Sequence, residues 1–519
     1  MKRFNTAGTC FPDQHYMVNI DRQVGYAARL VEQGEYFCIN RGRQYGKTTT
    51  LAMLETNLTA EGFVVFSISF EGMSDKNFSS MESILAATTE EMGSPLDWKG
   101  IANLPERSEQ LLRNALKANG ETMEKKDFTY MVRNLCATSR CVLIIDEVDQ
   151  AGNYPEFVKF LGLLREMYLK RTKMPTFQSI ILAGVYDIKN LKLMMRPEEE
   201  HQYNSPWNIA VPFDVDMSLP ADGIAAMLDE YRADHSLSFD AKAVAQLIYD
   251  YTSGYPFLVS RLCQIIDQKP YTWDKEGVLN AIRCLTTERN TLFDDMVKKV
   301  DQYPLLKVML RDILFSGKRR AFATDEKYIQ IAAMFNFIKN DNGSAAIACR
   351  LIETRLYNLF IAEEESSAIF ASGQLDKNQF IHDGTLDMRH LIERFSLHFN
   401  DIYRPGHDDR FVEEQGRKIF LTYLRPVING IGNYYCEAQT RDLTRTDVII
   451  DYLGHQYIVE LKIWRGNSYQ EHGRQQLSDY LDYYHLEEGY LVSFCFNKDK
   501  EPGLRELSLG NRTIIEAIV

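Results

Sequence analysis

Length, composition and charge limit what this chain can be. Its 519 residues are more than one hydrophobic core usually supports, so we expect three or four domains. The 45% apolar content, without a long apolar run, excludes a membrane-spanning protein, and the net charge of −13 disfavours constitutive, non-specific coating of nucleic acid. Nine cysteines without a C-x-x-C pair argue against a disulfide framework or a cysteine-rich zinc site. Because the N-terminal segment lacks an apolar signal core, we expect a cytoplasmic protein with no membrane partner.

The first recognisable element is a phosphate-binding loop. The apolar segment 34–40 suits a buried strand, and Lys47–Leu58 contains no Gly or Pro and suits a helix. Between them, RQYGKTT ends in the glycine, lysine and hydroxyl that a P-loop requires, although Arg41 occupies the position of the usual first glycine. We expect Lys47 to reach the β- and γ-phosphates of a nucleotide and the Thr48 hydroxyl to ligate Mg²⁺.

A second motif supplies the acids that such a loop needs. The apolar strand VLII ends at Asp146 and Glu147. Two carboxylates there are costly unless a cation or a reaction uses them, so we expect Asp146 to hold Mg²⁺ through water and Glu147 to polarise the attacking water. Further strands are predicted at Phe63–Phe70, Ser179–Ala183 and Asn208–Val211. Their alternation with helical segments predicts a parallel sheet in a three-layer α/β domain.

These motifs resemble the AAA-like ATPases, a branch of P-loop proteins close to the STAND signalling ATPases. The resemblance rests on YMVNIDR (16–22), RQYGKTT (43–49), VLIIDE (142–147), LAGVYDIKNL (182–191), SPWNIAVPF (205–213) and SGYPFLVSRL (253–262). An arginine-containing loop without the first glycine is common in that family, so the resemblance implies that Arg41 is a family variation.

The resemblance also implies site residues. The implied ATP-binding residues of the loop are Arg43, Gln44, Tyr45, Gly46, Lys47, Thr48 and Thr49. Asp187 falls where these ATPases place a residue that senses the γ-phosphate, Arg196 is a candidate arginine finger, and Arg261 is a candidate phosphate contact from a lid.

The middle of the chain is expected to hold two smaller modules. Apolar residues at helical spacing in Ala221–His235 and Asp240–Tyr251 resemble the helical lid of AAA-type ATPases. Predicted helices at Leu305–Leu314 and Ile329–Phe335, a turn at Asn342-Gly343, a helix over Ala345–Leu359 and a strand over Asn358–Ala362 resemble a winged helix. Such a module could read DNA through a helix at Ala345–Tyr357 carrying Arg350 and Arg355, or serve as internal packing.

The last part of the chain carries a second set of charged motifs. We predict a helix over Asp409–Tyr423, strands over Tyr434–Ala438, Arg445–Tyr452 and Gln456–Lys462, and a helix over Arg474–Tyr484. Alternation along the third strand places Glu460 and Lys462 on one face, beside Asp447. Two carboxylates there suit Mg²⁺ or Mn²⁺, which would polarise a scissile phosphate, and Lys462 would orient the attacking water.

This arrangement resembles the PD-(D/E)xK nuclease superfamily, with Thr446 in place of the proline before the first acid. The resemblance implies a restriction-endonuclease-like α/β domain. It also implies catalytic roles for Glu414 (Glu413 being the alternative) and for Gln476, which is followed by Tyr480.

We therefore expect four domains: a P-loop ATPase core at 1–213, a helical lid at 214–290, a winged-helix-like module at 291–365 and a nuclease-like domain at 366–519. The expected function is an ATP-regulated, metal-dependent nuclease that cuts DNA, or less favourably RNA, assembles with itself and acts in bacterial defence against phage or foreign DNA. A regulatory protein or other trigger is left open. Two alternatives stay open: a STAND-like switch whose nuclease fold only binds a partner, and a winged-helix DNA-binding regulator.

Overall fold

The structure is a computed structural model of the chain. It describes residues 2–118, 120–185, 206–315, 320–362, 367–402, 413–428, 432–439, 445–464, 467–496 and 503–519. For some residues inside helices and strands, including Glu413, Glu414 and Asp447, only the backbone is described.

Two compact units make up the chain. The first contains Met1–Leu219 together with two short later segments, Tyr255–Phe257 and Met334–Asn336. The second contains Pro220–Gly254, Leu258–Ala333 and Phe337–Val519.

The first unit is an α/β structure. Its strands are β1 (Arg3–Phe4), β2 (His15–Tyr16), β3 (Phe37–Asn40), β4 (Val64–Ser69), β5 (Cys141–Asp146), β6 (Ser179–Gly184) and β7 (Val211–Pro212). Its helices are α1 (Asp21–Glu32), α2 (Lys47–Ala60), α3 (Met81–Gly93), α4 (Glu106–Ala118), α5 (Lys125–Thr138) and α6 (Pro155–Leu169).

A five-stranded parallel sheet organises this unit, with strand order β4-β5-β6-β3-β7. Strands β5 and β6 are buried at every position, as expected of parallel strands that are covered on both faces. The parallel sheet predicted from the sequence is confirmed. The loop after β3 and the acids at the end of β5 therefore meet at the carboxyl edge of the sheet, separated by β6.

One predicted strand of this sheet is wrong. Only Val211 and Pro212 pair with β3, whereas the earlier part of Asn208–Val211 forms a turn in which the Ala210 N–H donates to the Trp207 carbonyl (3.1 Å). Trp207 is fully buried and stacks on Tyr36 with ring centroids 5.9 Å apart. Burial of this indole ring overrides the strand-like pattern of the segment.

The chain after Leu219 begins with a series of helices. They are α7 (Ala221–Asp234), α8 (Ala241–Thr252), α9 (Pro256–Gln268), α10 (Lys275–Thr287), α11 (Thr291–Gln302), α12 (Pro304–Phe315), α13 (Lys327–Met334), α14 (Arg350–Ala362), α15 (Ala368–Asp376), α16 (Met388–Ile402), α17 (Glu413–Ile428) and α18 (Asn467–Tyr484). Within the described ranges, none is both long and apolar enough to cross a bilayer.

Strands also occur in this part of the chain. They are β8 (Arg320–Ala321), β9 (Ile338–Asp341), β10 (Ser344–Ile347), β11 (Ile381–His382), β12 (Thr385–Leu386), β13 (Gly432–Gln439), β14 (Arg445–Tyr452), β15 (His455–Ile463), β16 (Glu488–Phe494), β17 (Gly503–Leu509) and β18 (Arg512–Ile518).

The small sheet β8-β10-β9 corrects two predictions. Residues Ala345–Ile347 form β10 instead of the start of a helix, because the turn at Asn342-Gly343 closes an antiparallel hairpin with β9. The helix begins only at Arg350 and continues through Asn358–Ala362, the segment predicted as a strand.

A six-stranded mixed sheet forms the last part of the chain, in the order β13-β14-β15-β16-β18-β17. Strand β14 has the predicted bounds, and β15 extends the predicted strand by one residue at each end. They are joined by a tight turn in which Leu453 (φ 47°) and Gly454 (φ 88°) are both left-handed, as a two-residue hairpin requires. Helix α18 packs on β15 and β16, and Ile458, Leu477, Leu481 and Leu491 form part of the core between them.

Candidate functional site

The predicted phosphate loop lies between β3 and α2. Gly46 adopts a left-handed conformation (φ 83°) and caps α2, so the helix begins at Lys47. The loop's N–H groups and the N-terminus of α2 are features that attract phosphate oxygens. Geometry of this kind fits the triphosphate of a nucleotide.

Lys47 is buried within its own loop, with an exposed fraction of 5%. Its Nζ donates to the carbonyl oxygens of Arg41 (3.1 Å) and Gly42 (3.2 Å). Burial lowers the pKa of Lys47, while the nearby carboxylates of Glu147 and Asp146 act in the opposite direction. The lysine is thus held by neutral carbonyl groups, which a phosphate can displace.

The two predicted acids lie next to the loop. Asp146 Oδ2 accepts a hydrogen bond of 2.8 Å from the Thr48 hydroxyl, and Asp146 Oδ1 accepts one of 2.9 Å from the Glu147 N–H. Glu147 has a left-handed backbone (φ 51°), and burial raises the pKa of its carboxyl group. The structure brings Lys47, Thr48, Asp146 and Glu147 together in one site.

Arg41 has a structural role that the sequence did not reveal. Its guanidinium donates to the backbone carbonyls of Asn40 (2.8 Å), Val215 (2.8 Å) and Phe213 (3.4 Å). The arginine in the position of the usual first glycine therefore fixes the chain that follows β7. It leaves the loop's own carbonyls to Lys47.

Asp149 is another residue that the sequence analysis missed. Its Oδ2 accepts a hydrogen bond of 2.5 Å from the N–H of Val185, just after β6. A Cβ on Gly184 would lie 2.8 Å from Asp149 Oδ1, so a larger residue at this position would have to displace the Asp149 side chain. The turn after β5 is thereby tied to the end of β6, where the predicted sensor segment begins.

Two short segments from later in the chain reach the loop within the first unit. The Tyr255 hydroxyl donates to the Arg43 carbonyl (2.7 Å), and the Tyr255 ring packs edge-on against Tyr45. Asn336 lies so close to Gly42 that a Cβ on Gly42 would overlap its Nδ2. The segment SGYPFLVSRL (253–262) served only as a mark of the family resemblance, and the sequence analysis predicted neither contact.

Other predicted nucleotide-site residues have different positions. Asp187 and Arg196 lie outside the described residues. Arg43 is exposed, Gln44 adopts a left-handed backbone (φ 57°), and the Thr49 hydroxyl accepts from the Cys10 N–H (3.1 Å).

The side chain of Arg261 interacts with two residues of the second unit. Its guanidinium forms an ion pair with Glu288 (2.7 Å) and donates to Gln264 (2.5 Å). Its predicted phosphate contact stays a prediction.

In the second unit, the predicted pair on β15 is an ion pair. Lys462 Nζ lies 2.8 Å from Glu460 Oε1, Glu460 is fully buried, and the Lys462 side chain is 15% exposed. Gly473 of α18 lies over the lysine, and a Cβ there would be 3.6 Å from Lys462 Cγ. The prediction that these two residues share one face is confirmed.

The strand register gives the place of Asp447. Val448 pairs with Val459, and continuing this antiparallel register by one residue puts Asp447 opposite Glu460. On the other side, Cys436 pairs with Val448 and Ala438 with Thr446, which puts Glu437 opposite Asp447. The side chains of Asp447 and Glu437, and those of Glu413 and Glu414 at the start of α17, lie outside the described part of the structure.

Helix α18, which packs on the strand that carries Glu460 and Lys462, also contributes polar groups. Gln476 Nε2 donates to the Tyr480 hydroxyl (2.7 Å). The sequence analysis missed a buried network one turn earlier, in which Glu516 pairs with Arg474 (2.7 Å) and both Glu516 and Ser493 accept from Gln470. Among the described residues there is no cluster of three acidic, histidine or cysteine side chains able to hold a metal.

The two arginines of the predicted recognition helix make contacts within the second unit. Arg350 is buried, donates to the Tyr484 hydroxyl (2.9 Å) and lies over the Tyr251 ring. Arg355 donates to the Thr286 carbonyl (2.5 Å) and lies over the Phe293 ring. Both guanidinium groups contact other residues of the second unit, which favours the alternative that this helix serves internal packing.

The AAA-like domain family matches residues 13–357, about two thirds of the chain. The chain belongs to this family. The segment 366–519, predicted to be nuclease-like, lies beyond the matched residues, and among curated proteins no match was found.

Several solved structures are similar. A Walker-type ATPase of Pyrococcus abyssi is 11% identical with a TM-score of 0.48, covering 68% of this chain and 99% of that one. The ORC2 protein of Aeropyrum pernix, in ADPNP–ADP complexes, is 13% identical with a TM-score of 0.34, covering 67% and 96%. Cdc6p of Pyrobaculum aerophilum is 15% identical with a TM-score of 0.32, covering 66% and 94%.

Proposed function

We propose that the protein binds and hydrolyses ATP at the loop of the first unit and uses it to control a metal-dependent nuclease in the second. The observation that carries the ATPase part is the contact between the Thr48 hydroxyl and Asp146, beside the buried Lys47. It joins the P-loop to the acids of β5, and membership of the AAA-like family supports it.

The residues present fit a magnesium–nucleotide complex. Thr48 and Asp146 offer a hydroxyl and a carboxylate within hydrogen-bond distance of each other, the oxygen ligands that Mg²⁺ prefers. A bound Mg²⁺ would neutralise charge on the phosphates. Lys47 would move from the loop carbonyls to phosphate oxygens, and Glu147 would accept a proton from the attacking water.

The nuclease part rests on the row of positions across β13, β14 and β15. Asp447 stands opposite Glu460, and Lys462 follows on the same face as Glu460. Asp447 and Glu460 would hold Mg²⁺ or Mn²⁺, which would polarise the scissile phosphate. Lys462 would orient the attacking water, with Gln476 and Glu414 as supporting groups, and Glu437 adds a third acidic position to the row.

The domain layout, self-assembly and the biological setting belong to the same proposal. We assign 1–213 to the ATPase core, 214–290 to a lid, 291–365 to a winged-helix-like packing module and 366–519 to the nuclease-like domain. Nucleic acid, DNA in the first place, is the proposed substrate, and defence against foreign DNA is the proposed role. This role is an analogy with related P-loop ATPases, in which a nucleotide switch controls an effector.

A second candidate is a nucleotide switch whose C-terminal fold binds a partner without cutting. The full burial of Glu460 and its ion pair with Lys462 favour this alternative, because a buried pair can serve structure alone. The two candidates differ in whether a metal ion can enter between the paired groups.

Incubation of the purified protein with linear, plasmid and single-stranded DNA, in Mg²⁺ or Mn²⁺ with ATP, tests the nuclease proposal. We expect cleavage by the wild type and by Lys298→Ala, an exposed lysine of α11, but none by Lys462→Ala. Equal cleavage by Lys462→Ala would refute the assigned site. Nucleotide binding without cleavage of DNA or RNA by the wild type would establish the switch alternative.

A further inference from the structure

One peptide group at the end of β6 joins the phosphate loop to the turn that follows the two acids of β5. The Gly184 carbonyl accepts a hydrogen bond of 3.1 Å from the N–H of Arg41, at the start of the loop. The N–H of the same peptide group, which belongs to Val185, donates to Asp149 Oδ2 at 2.5 Å. Because a peptide group is planar and rigid, a displacement at one of these two hydrogen bonds also changes the other.

The loop side of this connection involves the lysine of the nucleotide site. Lys47 Nζ donates to the Arg41 carbonyl (3.1 Å), and the N–H of the same arginine donates to Gly184. In the proposed function, Lys47 leaves that carbonyl for phosphate oxygens. The residue that loses the hydrogen bond from the lysine is therefore the residue that holds the peptide group at the end of β6.

The acid side of the connection supports a backbone conformation that is unfavourable by itself. Glu147, the proposed general base, has a left-handed backbone (φ 51°), which costs free energy in a residue with a side chain. A short 3₁₀-helix, Val148–Ala151, follows it directly. The side chain of Asp149 ties this helix to the end of β6, so it anchors the turn that determines where the Glu147 carboxylate lies.

Close packing gives the Asp149 carboxylate a defined position. A Cβ on Gly184 would lie 2.8 Å from Asp149 Oδ1 and 3.0 Å from Val148 Cγ2, so both side chains rest directly on the glycine backbone. One carboxylate oxygen thus touches Gly184 while the other accepts the N–H of Val185. A side chain held in this way can fix the geometry of a neighbouring reactive group.

We propose that Asp149 is a positioning residue for ATP hydrolysis: its bond to the Gly184–Val185 peptide group keeps the turn after Glu147 aligned with the phosphate loop. The inference rests on the proposed ATPase function. Asp149 itself touches neither nucleotide nor metal in this role and acts through Glu147. Because a misplacement of about 1 Å can slow a reaction a hundredfold, loss of the anchor should slow hydrolysis much more than it weakens ATP binding.

Steady-state hydrolysis and equilibrium binding of ATP by the full-length protein test this role. Asp149→Ala removes the acceptor, so we expect kcat to fall about ten- to a hundredfold while the Kd of ATP changes by less than about threefold. Asp149→Asn keeps an oxygen that can accept the N–H of Val185 and should retain most of the wild-type kcat. Asp127→Ala, at an exposed position of α5, is the control and should hydrolyse ATP normally.

Gly184→Ala disturbs the same contact from the other side while Asp149 stays in place. The added methyl group would overlap Asp149 Oδ1 and displace the carboxylate, so kcat should fall in this variant too. If both substitutions act through one contact, Gly184→Ala combined with Asp149→Ala should be slower than Asp149→Ala alone by about twofold at most. Thermal unfolding of each variant verifies that folded proteins are compared.

The inference is overturned if Asp149→Ala hydrolyses ATP like the wild type, or if the effects of Gly184→Ala and Asp149→Ala are independent. Equal losses in Asp149→Asn and Asp149→Ala would also overturn it, because the charge of Asp149 would then act on the nucleotide or its metal. A wild type that binds ATP without hydrolysing it would refute the proposed ATPase function, and this inference with it. Normal hydrolysis by Asp149→Ala beside an active wild type would refute the inference alone.

Discussion

The two proposed reaction sites hold their lysines in opposite ways. Lys47 donates to two carbonyl oxygens of its own loop, and among the residues that the structure describes it forms no direct ion pair. Lys462 lies 2.8 Å from the carboxylate of Glu460, which is fully buried. A phosphate can displace a carbonyl from Lys47 at little cost, whereas a substrate at Lys462 must compete with a buried ion pair. In the proposed function, the first site would accept its ligand directly, whereas a metal ion at the second site would have to separate Glu460 from Lys462.

The largest effect is expected from breaking the ion pair between Glu460 and Lys462 at the second site. Lys462→Met leaves the Glu460 carboxylate buried without its cation and should lower the free energy of unfolding of the second unit by about 3 to 5 kcal/mol. Denaturant unfolding measures this loss. Adding Glu460→Gln should recover most of it, and Lys298→Met is the matched exposed control. An unchanged unfolding free energy in Lys462→Met would show that the pair is not formed.

Lys47→Ala should affect ligand chemistry much more than stability. It removes the cation that would contact the phosphates, so ATP hydrolysis should fall on the order of a hundredfold or more. Lys159→Ala, at an exposed position of α6, should hydrolyse ATP normally. Steady-state phosphate release gives the rates, and undiminished hydrolysis in Lys47→Ala would place the ATPase site elsewhere.

The decline of the ATP hydrolysis rate at acidic pH tests the role of Glu147. A general base works only when it is deprotonated, and burial raises the pKa of Glu147. Activity should therefore decline on acidification at a higher pH than an exposed glutamate would give. Glu147→Gln should reduce hydrolysis about a hundredfold while ATP still binds. If the hydrolysis rate of the wild type stays constant down to the pH at which an exposed glutamate becomes protonated, this assignment is contradicted.

Gly42→Ala examines the contact between the loop and Asn336. The added methyl group would overlap the Asn336 amide, so we expect a loss of about 1 to 2 kcal/mol in stability of the first unit. Asn336→Ala removes the amide, and the double variant should regain most of the loss. Thermal unfolding of the wild type, the two single variants and the double variant gives a double-mutant cycle. If the effects of the two substitutions on stability are additive, the two residues do not touch.

The smallest effect is expected for Tyr255→Phe, which removes the hydrogen bond to the Arg43 carbonyl. One neutral hydrogen bond contributes about 1 kcal/mol, so ATP affinity should weaken by several-fold at most. Tyr130→Phe, an exposed tyrosine of α5, is the control. A loss as large as that of Lys47→Ala would mean that Tyr255 contacts the nucleotide itself.

Local motifs predicted well what depends on local chemistry. Periodicity and the neighbouring turn residues gave the bounds of β14, and Gly46 marked the start of the helix that follows it. The contact between Thr48 and Asp146 was expected because two acids at the end of an apolar strand need a cation. Each is specified by a short stretch of sequence or by the geometry of parallel strands.

Long-range packing explains what the sequence could not predict. Ala345–Ile347 has helix-prone residues, but pairing with β9 makes it a strand. Arg350 looks like a surface cation, yet Tyr251 and Tyr484 enclose it. Arg41 and Asn336 contact groups far away in sequence, so no local pattern marks them.

The most direct test of the central claim is DNA cleavage in Mg²⁺ or Mn²⁺, with and without ATP, by the wild type, Lys47→Ala and Lys462→Ala. If nucleotide at the P-loop controls the nuclease, ATP changes cleavage by the wild type but has no effect on Lys47→Ala, and Lys462→Ala cuts under no condition. An ATP response that persists in Lys47→Ala, or cleavage that persists in Lys462→Ala, would contradict the account.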